Sequence, residues 1–490
     1  MPDLMSFLKD ITDVLWSPWT PWVLLAAGVL FTIWSRFSQY TAMTHGIAVV
    51  RGVYDDPGDP GAINHFQALS AALSATVGLG NIGGVALAIG AGGPGALVWM
   101  WLAGVLGMAL KTIEITLAMM YRNTDDPENP HGGAMWVVEK VLGSKGGRWK
   151  RVARSIGVFF CITLIISSFT GGNMFQSWNV ASLTEGYFGM PRIATGILIA
   201  IVVGLVIIGG IKRIGNVAAK LVPFMCILYL LSAFSVLAMN VTELPGMFAL
   251  VFTSAFEGSE ATGAFIGGTM GFAFIQGMKR ALFSNEAGQG SAPIAHAAAK
   301  TAEPAREGIV GGIGPFIDTL CICTLTALVI LLTGTWNREA IGPFGSELKL
   351  VHAVDTEKPT WNLEASTDPS QLPKAKHGEW TLGAKLFLVA EVRGAVRTAT
   401  GSDRVQVTGK LVEVDGRSEE AASELAIAWD PVEVDPEEWE GAATGVEIVD
   451  PGVHRSYDGA PLTAHAFDRQ FPGLGKWLVT LAAWLFAISP

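Results

Sequence analysis

The sequence predicts an all-α polytopic membrane protein with two broken helices and a small, acidic, mainly-β insert. Three observations predict this class. The 490-residue chain is half hydrophobic and only 16% charged, with a mean hydropathy of +0.42, and several apolar runs reach the roughly 20 residues that span a bilayer. Two of those runs are interrupted by glycine and polar residues. Charge is also segregated: from Trp336 to Gln470 there are 13 Lys and Arg against 24 Asp and Glu, a balance of −11, while the rest is near neutral at 20 against 19. An acidic excess confined to one segment argues against nucleic acid, which needs clustered basic charge.

The elements follow in order. Residues 1–19 hold a short amphipathic segment; with Asp3, Lys9, Asp10 and Asp13 it does not read as a cleavable signal peptide. The membrane core covers 20–335 with about eight spans. Pro21 to Arg36 is the first. The second runs from Phe66 to Ala91, and Gly92-Gly93-Pro94-Gly95 turns it into a third, Ala96 to Tyr121. The loop from Arg122 to Arg154 carries Lys140, Lys145, Arg148, Lys150, Arg151 and Arg154, the largest basic cluster in a short loop, which places it in the cytoplasm. Ser155 to Val180, Ile193 to Ile211 and Asn216 to Met239 are the next three spans, and their alternation puts the amino terminus outside. Leu244 to Gly268, with Glu243, Glu257 and Glu260 in or beside it, reads as an outer loop with a partly inserted helix. Thr269 to Ala299 is a second interrupted helix, and Glu307 to Gly334 holds the eighth span. The insert, 336–470, comes next, and a ninth span occupies 471–490.

In the insert, Arg404 to Val414 alternates as one or two strands ending at Asp415-Gly416, and Leu382 to Val392 is another candidate. Pro431 to Glu440 is too acidic and proline-containing to read as core. Cys161, Cys226, Cys321 and Cys323 all lie in apolar runs, without disulfide or zinc spacing, and read as small buried side chains.

The stretch Ala75 to Gly84 carries four glycines and Asn81 inside an apolar run. Each glycine costs roughly 1 kcal/mol against alanine in a helix interior. An unwound backbone in lipid is tolerated only where protein or a hydrated cavity satisfies its N–H and C=O groups. Two readings are open: a broken helix of the kind that holds substrate and ions at the bilayer midplane, or a glycine face that lets helices approach closely.

Charges at membrane depth need a reason. Lys111 and Glu114 sit three apart and pair along one helix face in the structural reading, with a gate role as the alternative. Lys279, Arg280 and Glu286 read as a site or gate, or as a local ion-pair network. Asp318 is an ion-linked carboxylate or a partner for a neighbouring hydroxyl, and Gln176 faces substrate or bonds across helices. No nucleophile–base pair, metal motif or phosphate loop is present in the sequence, so an enzyme is not expected.

Three stretches resemble the alanine/glycine:cation symporter family, the sodium:alanine symporters. They are Ala72 to Tyr121, with Gly78-Leu79-Gly80-Asn81-Ile82; Ala281 to Pro293, with Ser284-Asn285-Glu286-Ala287-Gly288; and Gly314 to Thr319. The resemblance covers most of 1–334 and resumes near Gly459. It implies a core of two inverted five-helix repeats, similar to the amino-acid–polyamine–organocation and neurotransmitter:sodium symporters. It implies import of alanine or glycine with sodium as coupling ion and no other cofactor, in a bacterial cytoplasmic (inner) membrane, with insert and amino terminus outside.

By the resemblance, Thr76, Gly78, Leu79 and Gly80 belong to the substrate site, with Leu79 and Gly80 offering N–H groups to its carboxylate. Gln176, Ile275, Gln276 and Gly277 line the same site. The carbonyls of Ser74 and Val77 hold one sodium, with Ser489 as a further ligand. The Asn81 side chain and the Thr76 carbonyl are candidates for a second sodium. Asn285, Glu286 and Asp318 are gate or ion-linked residues.

Two departures stand out. The family has a short outer connection where this chain has its insert, which is a vestibule shield, a partner-binding module or a tolerated surface insertion. Family members also continue past Ser489 with more membrane helices, so the repeat is expected to be cut short at Pro490. The alternatives are a cation-coupled transporter of another small solute and a non-transporting receptor using the insert.

Overall fold

Glycine and proline set most of the helix boundaries. The computed structural model describes residues 11–12, 14–15, 17, 19–257, 270–343, 349–353, 359–364, 383–397, 404–413, 425–434, 439–457 and 459–489. Most of the amino-terminal segment, Glu260, Leu382, Asp415-Gly416 and Pro490 therefore lie outside the described residues.

Helices α1 (Trp19–Trp34) and α2 (Ser38–Thr44) form a pair bent by 70°, followed by the short α3 (Gly46–Val50). Next come α4 (His65–Thr76) and α5 (Gly80–Gly92), bent by 47° where the glycines break the run. Asn64 starts α4 with a capping box: its side chain accepts from the Gln67 N–H, and the Gln67 side chain accepts from the Asn64 N–H. Then follow α6 (Ala96–Met120), α7 (Ala134–Gly143), α8 (Arg148–Phe188), α9 (Arg192–Ile207), α10 (Gly210–Met239) and α11 (Leu244–Glu257). The helical part continues with α12 (Met270–Asn285), α13 (Ala292–His296) and α14 (Pro304–Leu332), and resumes after the insert with α15 (Ala460–Gln470) and α16 (Gly475–Ile488).

Helices α6, α8, α10 and α14 are each long and apolar enough to cross a membrane, and the two bent pairs pass the same test jointly. Their outward faces are apolar: Ile162, Ile165, Ile166 and Phe169 of α8, with Ile193, Ile201 and Leu205 of α9, are exposed. An apolar surface this extensive is compatible with lipid and not with water. Three π-helical stretches lie within these helices: Gly80–Gly84, Ser168–Met174 and Phe316–Cys323.

The insert is β-rich. Strands β1 (Gly342–Pro343), β8 (Trp439–Arg455), β4 (Lys385–Arg397), β5 (Arg404–Glu413) and β6 (Leu425–Trp429) form an antiparallel sheet in that order. Strands β2 (Lys349–His352), β3 (Thr360–Glu364) and β7 (Val432–Glu433) form a second. The alternating run from Arg404 is one strand, and the candidate at Leu382 to Val392 begins at Lys385 and extends to Arg397.

Four expectations change. The basic loop from Arg122 contains α7, and α8 starts in it at Arg148. The second interrupted helix ends at Asn285, because Glu286, Gly288 and Gly290 all adopt positive φ and turn the chain before α13. Residues 431–440 are not all surface: Val432 and Val434 are buried in the insert's core, since alternation puts both valines on the inner face while Glu433 points out. Residues 460–470, expected within the insert, form α15, whose Ala464, Ala466 and Phe467 are buried in the core of the helical part.

Candidate functional site

The site grows out of the break between α4 and α5. Helix α4 stops at Thr76 because Val77 is extended, at φ −76° and ψ 95°. The amides released by the break find side chains. The Gly78 N–H donates to Asn81 Oδ1 at 2.7 Å, and the Leu79 N–H donates to Gln176 Oε1 at 3.0 Å. A break at this depth is stable because its polar groups are satisfied. Gly78 leaves room for this contact: a Cβ would lie 2.7 Å from Gln176 Nε2, so the end of that side chain would have to shift.

Asn81 then carries the break to α14. Its Nδ2 donates to Asp318 Oδ1 at 2.6 Å, to the Asp318 carbonyl at 3.1 Å and to Cys323 Sγ at 3.2 Å. Asp318 also accepts from Ser284 Oγ at 3.0 Å and from Thr319 Oγ1 at 2.7 Å. Asn81, Asp318 and Thr319 are fully buried. Asn285 donates to Thr319 Oγ1 at 3.0 Å and accepts from the Ala287 N–H at 3.0 Å. One carboxylate thus joins the first broken helix, the end of the second and the π stretch of α14. Such a buried set is stable only when each member is satisfied, and this one is densely paired.

The sequence-derived residues distribute as follows. Thr76, Gly78, Leu79, Gly80, Asn81 and Gln176 cluster at the break, and Asn285 and Asp318 join them through the network. Ile275 packs against the main core, Gln276 lies beside Gly92 of α5, and a Cβ at Gly277 would meet the Ala96 carbonyl at 2.3 Å. Among the described residues, none of these three hydrogen-bonds to the Asn81–Asp318 set. Ser74 Oγ donates to the Ala71 carbonyl at 2.6 Å. Among the described residues, Ser489 Oγ, buried just past the end of α16, has no hydrogen-bond partner, and it is an oxygen of the kind a hard cation takes. Glu286 sits at φ 54° and accepts from Ser291 Oγ. Lys111 is buried on α6 within electrostatic range of Glu286, Glu114 and Asp318. Among the described residues it forms no ion pair with Glu114, so the pairing expected along one helix face is replaced by a shared pocket of charge.

Sequence reasoning missed three groups. Ser284 and Cys323 are direct members of the network and were given no site role, because the contact of Ser284 with Asp318 and that of Ser284 with Cys323 span 34 and 39 residues. A second cluster joins α4, α13 and α14, where the Glu307 carboxylate takes His65 Nδ1 on one oxygen and His296 Nδ1 on the other, all three buried. Beside it Arg122 donates to the carbonyls of Ala297, Ala299, Pro60 and Thr301 at 2.5–3.0 Å. The signal available was four ionisable residues bordering apolar runs. A third pair, Asn179 Oδ1 with the Ala460 N–H at 3.1 Å and Thr463 Oγ1 with the Ile82 carbonyl at 2.9 Å, fastens α15 to the break.

Known proteins share this sequence pattern. The sequence model of the sodium:alanine symporter family matches residues 1–358. The chain is 40% identical to the sodium/alanine symporter AgcS of Methanococcus maripaludis, over 68% of this chain and 71% of that protein. It is 35% identical to YrbD of Bacillus subtilis, provisionally named a sodium/proton-dependent alanine carrier protein, over 81% of this chain and 85% of that one. It is 36% identical to the amino-acid carrier protein AlsT of Bacillus subtilis, over 67% and 66%. Multiple apolar helices, a satisfied break in the first glycine-rich one and these matches converge: the chain is a multi-pass membrane transporter, not an enzyme, and belongs to the sodium:alanine symporter family.

Proposed function

We propose that the protein is a sodium-coupled symporter that imports alanine, glycine or both across the cytoplasmic membrane by alternating access. The observation that carries the reading is the Leu79 N–H, held at 3.0 Å by the Gln176 side chain at a helix break. In this reading a substrate carboxylate takes the Leu79 and Gly80 amides, and Gln176 swings to meet the rest of the substrate. Amides at the start of a half-helix suit an anionic group. Thr76, Gly78, Ile275, Gln276 and Gly277 complete the substrate walls. Ser74, Val77 and Ser489 supply oxygens to one sodium, and Asn81 to a second. Asp318, Asn285 and Glu286 link the ions to the gate.

In this reading the described helices follow the plan of inverted five-helix repeats, with the basic loop inside and the amino terminus and insert outside. Sodium binding favours the substrate-competent state, and substrate favours sodium binding by the same factor, as linkage requires. The test is uptake of radiolabelled alanine into proteoliposomes with and without an inward sodium gradient, with glycine as competitor. Accumulation driven by sodium is the expected result. Accumulation of alanine driven by a proton gradient alone moves the reading to proton coupling; the name of YrbD gives sodium and proton together. No accumulation under either gradient moves it to another small solute or to a receptor.

A further inference from the structure

Residues 140–154, from the last turn of α7 to the first turns of α8, hold six Lys and Arg and no Asp or Glu. The two helices pack as a hairpin: a Cβ at Gly143 would lie 3.8 Å from the Ala153 side chain, and one at Gly157 would lie 3.6 Å from that of Met135. Lys140 is engaged, since its Nζ donates to the Arg122 carbonyl at 2.8 Å and lies 5.7 Å from the Trp136 ring centre. The other five, Lys145, Arg148, Lys150, Arg151 and Arg154, are exposed, and among the described residues none of them forms an ion pair. Lys145 and Arg148 lie 5.6 and 5.5 Å from the ring centre of Trp149, which is itself exposed.

The basic residues of α8 share one face. At about 100° per residue, Arg148, Lys150, Arg151 and Arg154 fall within an arc of about 160°, while Ala153 and Gly157, buried on the side of α7, lie outside it. The same arc changes character further along the helix. Val158, Ile162, Ile165 and Ile166 continue it, and all four are exposed. From Arg154 to Ile166 the axis rises about 18 Å, close to one leaflet of a roughly 30 Å hydrocarbon core. A stripe that begins cationic and ends apolar over that length matches one phospholipid, headgroup and acyl chain together. Guanidinium forks suit phosphate, an exposed indole suits the membrane interface, and Lys and Arg beside a membrane span attract anionic headgroups.

We propose that this face of α8 is a lipid site: one anionic phospholipid places its phosphate on Lys150, Arg151 and Arg154 and lays an acyl chain along Val158, Ile162, Ile165 and Ile166. Five cations without an ion pair among the described residues favour an anionic headgroup over a zwitterionic one, whose ammonium they repel. Helix α8 also carries Gln176, so the occupant grips the helix that reaches the break. The site goes beyond the transport reading and needs only that α8 spans a bilayer.

Native mass spectrometry of the purified full chain tests this, with phosphatidylglycerol, phosphatidylcholine and inorganic phosphate as probes. One phosphatidylglycerol is expected to stay bound under conditions that strip phosphatidylcholine. Arg151→Gln with Arg154→Gln should weaken that binding about 25-fold, at about fivefold for each charge near a membrane surface. Lys212→Gln with Arg213→Gln removes the same charge from the start of α10 and should change nothing. Arg151→Lys with Arg154→Lys keeps the charge and is expected to bind between the parent and the first Gln pair, which separates lost attraction from lost folding. Equal losses in the two Gln pairs, a Lys pair as weak as the first Gln pair, equal retention of both lipids, or displacement of the lipid by inorganic phosphate at matched concentration overturns the proposal. Polyglutamate binding in place of phosphatidylglycerol overturns it in favour of an acidic protein partner. None of these readouts uses transport, so the lipid site and the symporter reading can each fail alone.

Discussion

Asn81 Nδ2 donates to Asp318 Oδ1 at 2.6 Å, so the first broken helix and α14 are held together by one amide and one carboxylate, both fully buried. Each is the other's main partner across 237 residues of chain. Anything that moves α5 against α14 has to break or carry this contact, so in the proposed symporter it is where ion binding would meet helix motion.

Asn81→Ala is expected to lower alanine uptake and flatten its dependence on sodium concentration. The substitution leaves the Gly78 N–H and the Asp318 carboxylate each short of a partner, at a cost of about 1–3 kcal/mol for each buried group. Initial uptake rates across a sodium series in proteoliposomes check this. An unchanged sodium activation curve would remove Asn81 from the ion-linked set.

Gly78→Ala and Gln176→Ala should resemble each other. A Cβ at Gly78 collides with the far end of Gln176, a side chain free to move, and displaces it from the Leu79 N–H. Both proteins are expected to fold, with KM for alanine raised by about tenfold or more, as for loss of a positioning hydrogen bond. Gly83→Ala should behave differently. Its Cβ would lie 2.9 Å from the Ala460 backbone nitrogen, so the clash is with main chain and lowers stability by about 1–3 kcal/mol. Thermal melting of the purified variants separates the two classes.

Glu307→Ala is expected to be among the most destabilising single changes in the helical part. It strips one shared partner from two buried histidines, which belong to different helices. Breaking a buried charged cluster from one side costs about 3–5 kcal/mol. A Glu307→Gln protein, which can still accept from one histidine, should fall between Ala and the parent in melting temperature. If all three melt together, the cluster carries little stability.

The insert should lose stability in mild acid. His454 is buried against Phe387, and burial, as the largest cause, pushes its pKa below the ordinary 6.5; nearby Arg338 acts the same way, against the opposing pull of Asp450. The unfolded histidine therefore takes up a proton first as pH falls. Stability is unaffected above about pH 6.5 and declines as pH drops from there toward the lowered native value. Melting of the full chain followed by the β-sheet circular dichroism signal checks the direction. His454→Phe should remove that slope, and a slope that persists would assign the acid sensitivity elsewhere.

Much of this architecture was legible in the sequence, and the reasons differ by element. The break at Gly78 to Asn81 was readable because its glycines and asparagine contradict the apolar run around them. Strand β5 was readable because alternation is a local signal. Val432 and Val434 carried the same period-two signal, but the acidic residues between and after them outweighed it. Helix α15 was hidden for a related reason: His465, Asp468 and Arg469 give it the composition of the insert, and only packing shows Phe467 turned into the helical core. A hydroxyl partner for Asp318 was among its two readings, and Thr319 beside it supplies one; its contacts with Asn81 and Ser284, and that of His65 with Glu307, join residues 34 to 242 apart, and nothing in a residue's neighbours announces a contact of that kind.

The π-helical stretches have a consequence for how the chain tolerates change in length. A π turn is a helix carrying one residue more than it needs, and an α-helix advances about 100° for each residue. Remove any single residue from Gly80–Gly84 and the turn can close as ordinary α-helix. Everything beyond it, including the Leu87 face of α5, would then keep roughly its bearing, because the extra residue is taken up within the one widened turn. What such a deletion removes is the widened turn itself, where Asn81 and the Ile82 carbonyl make their contacts to α14 and α15.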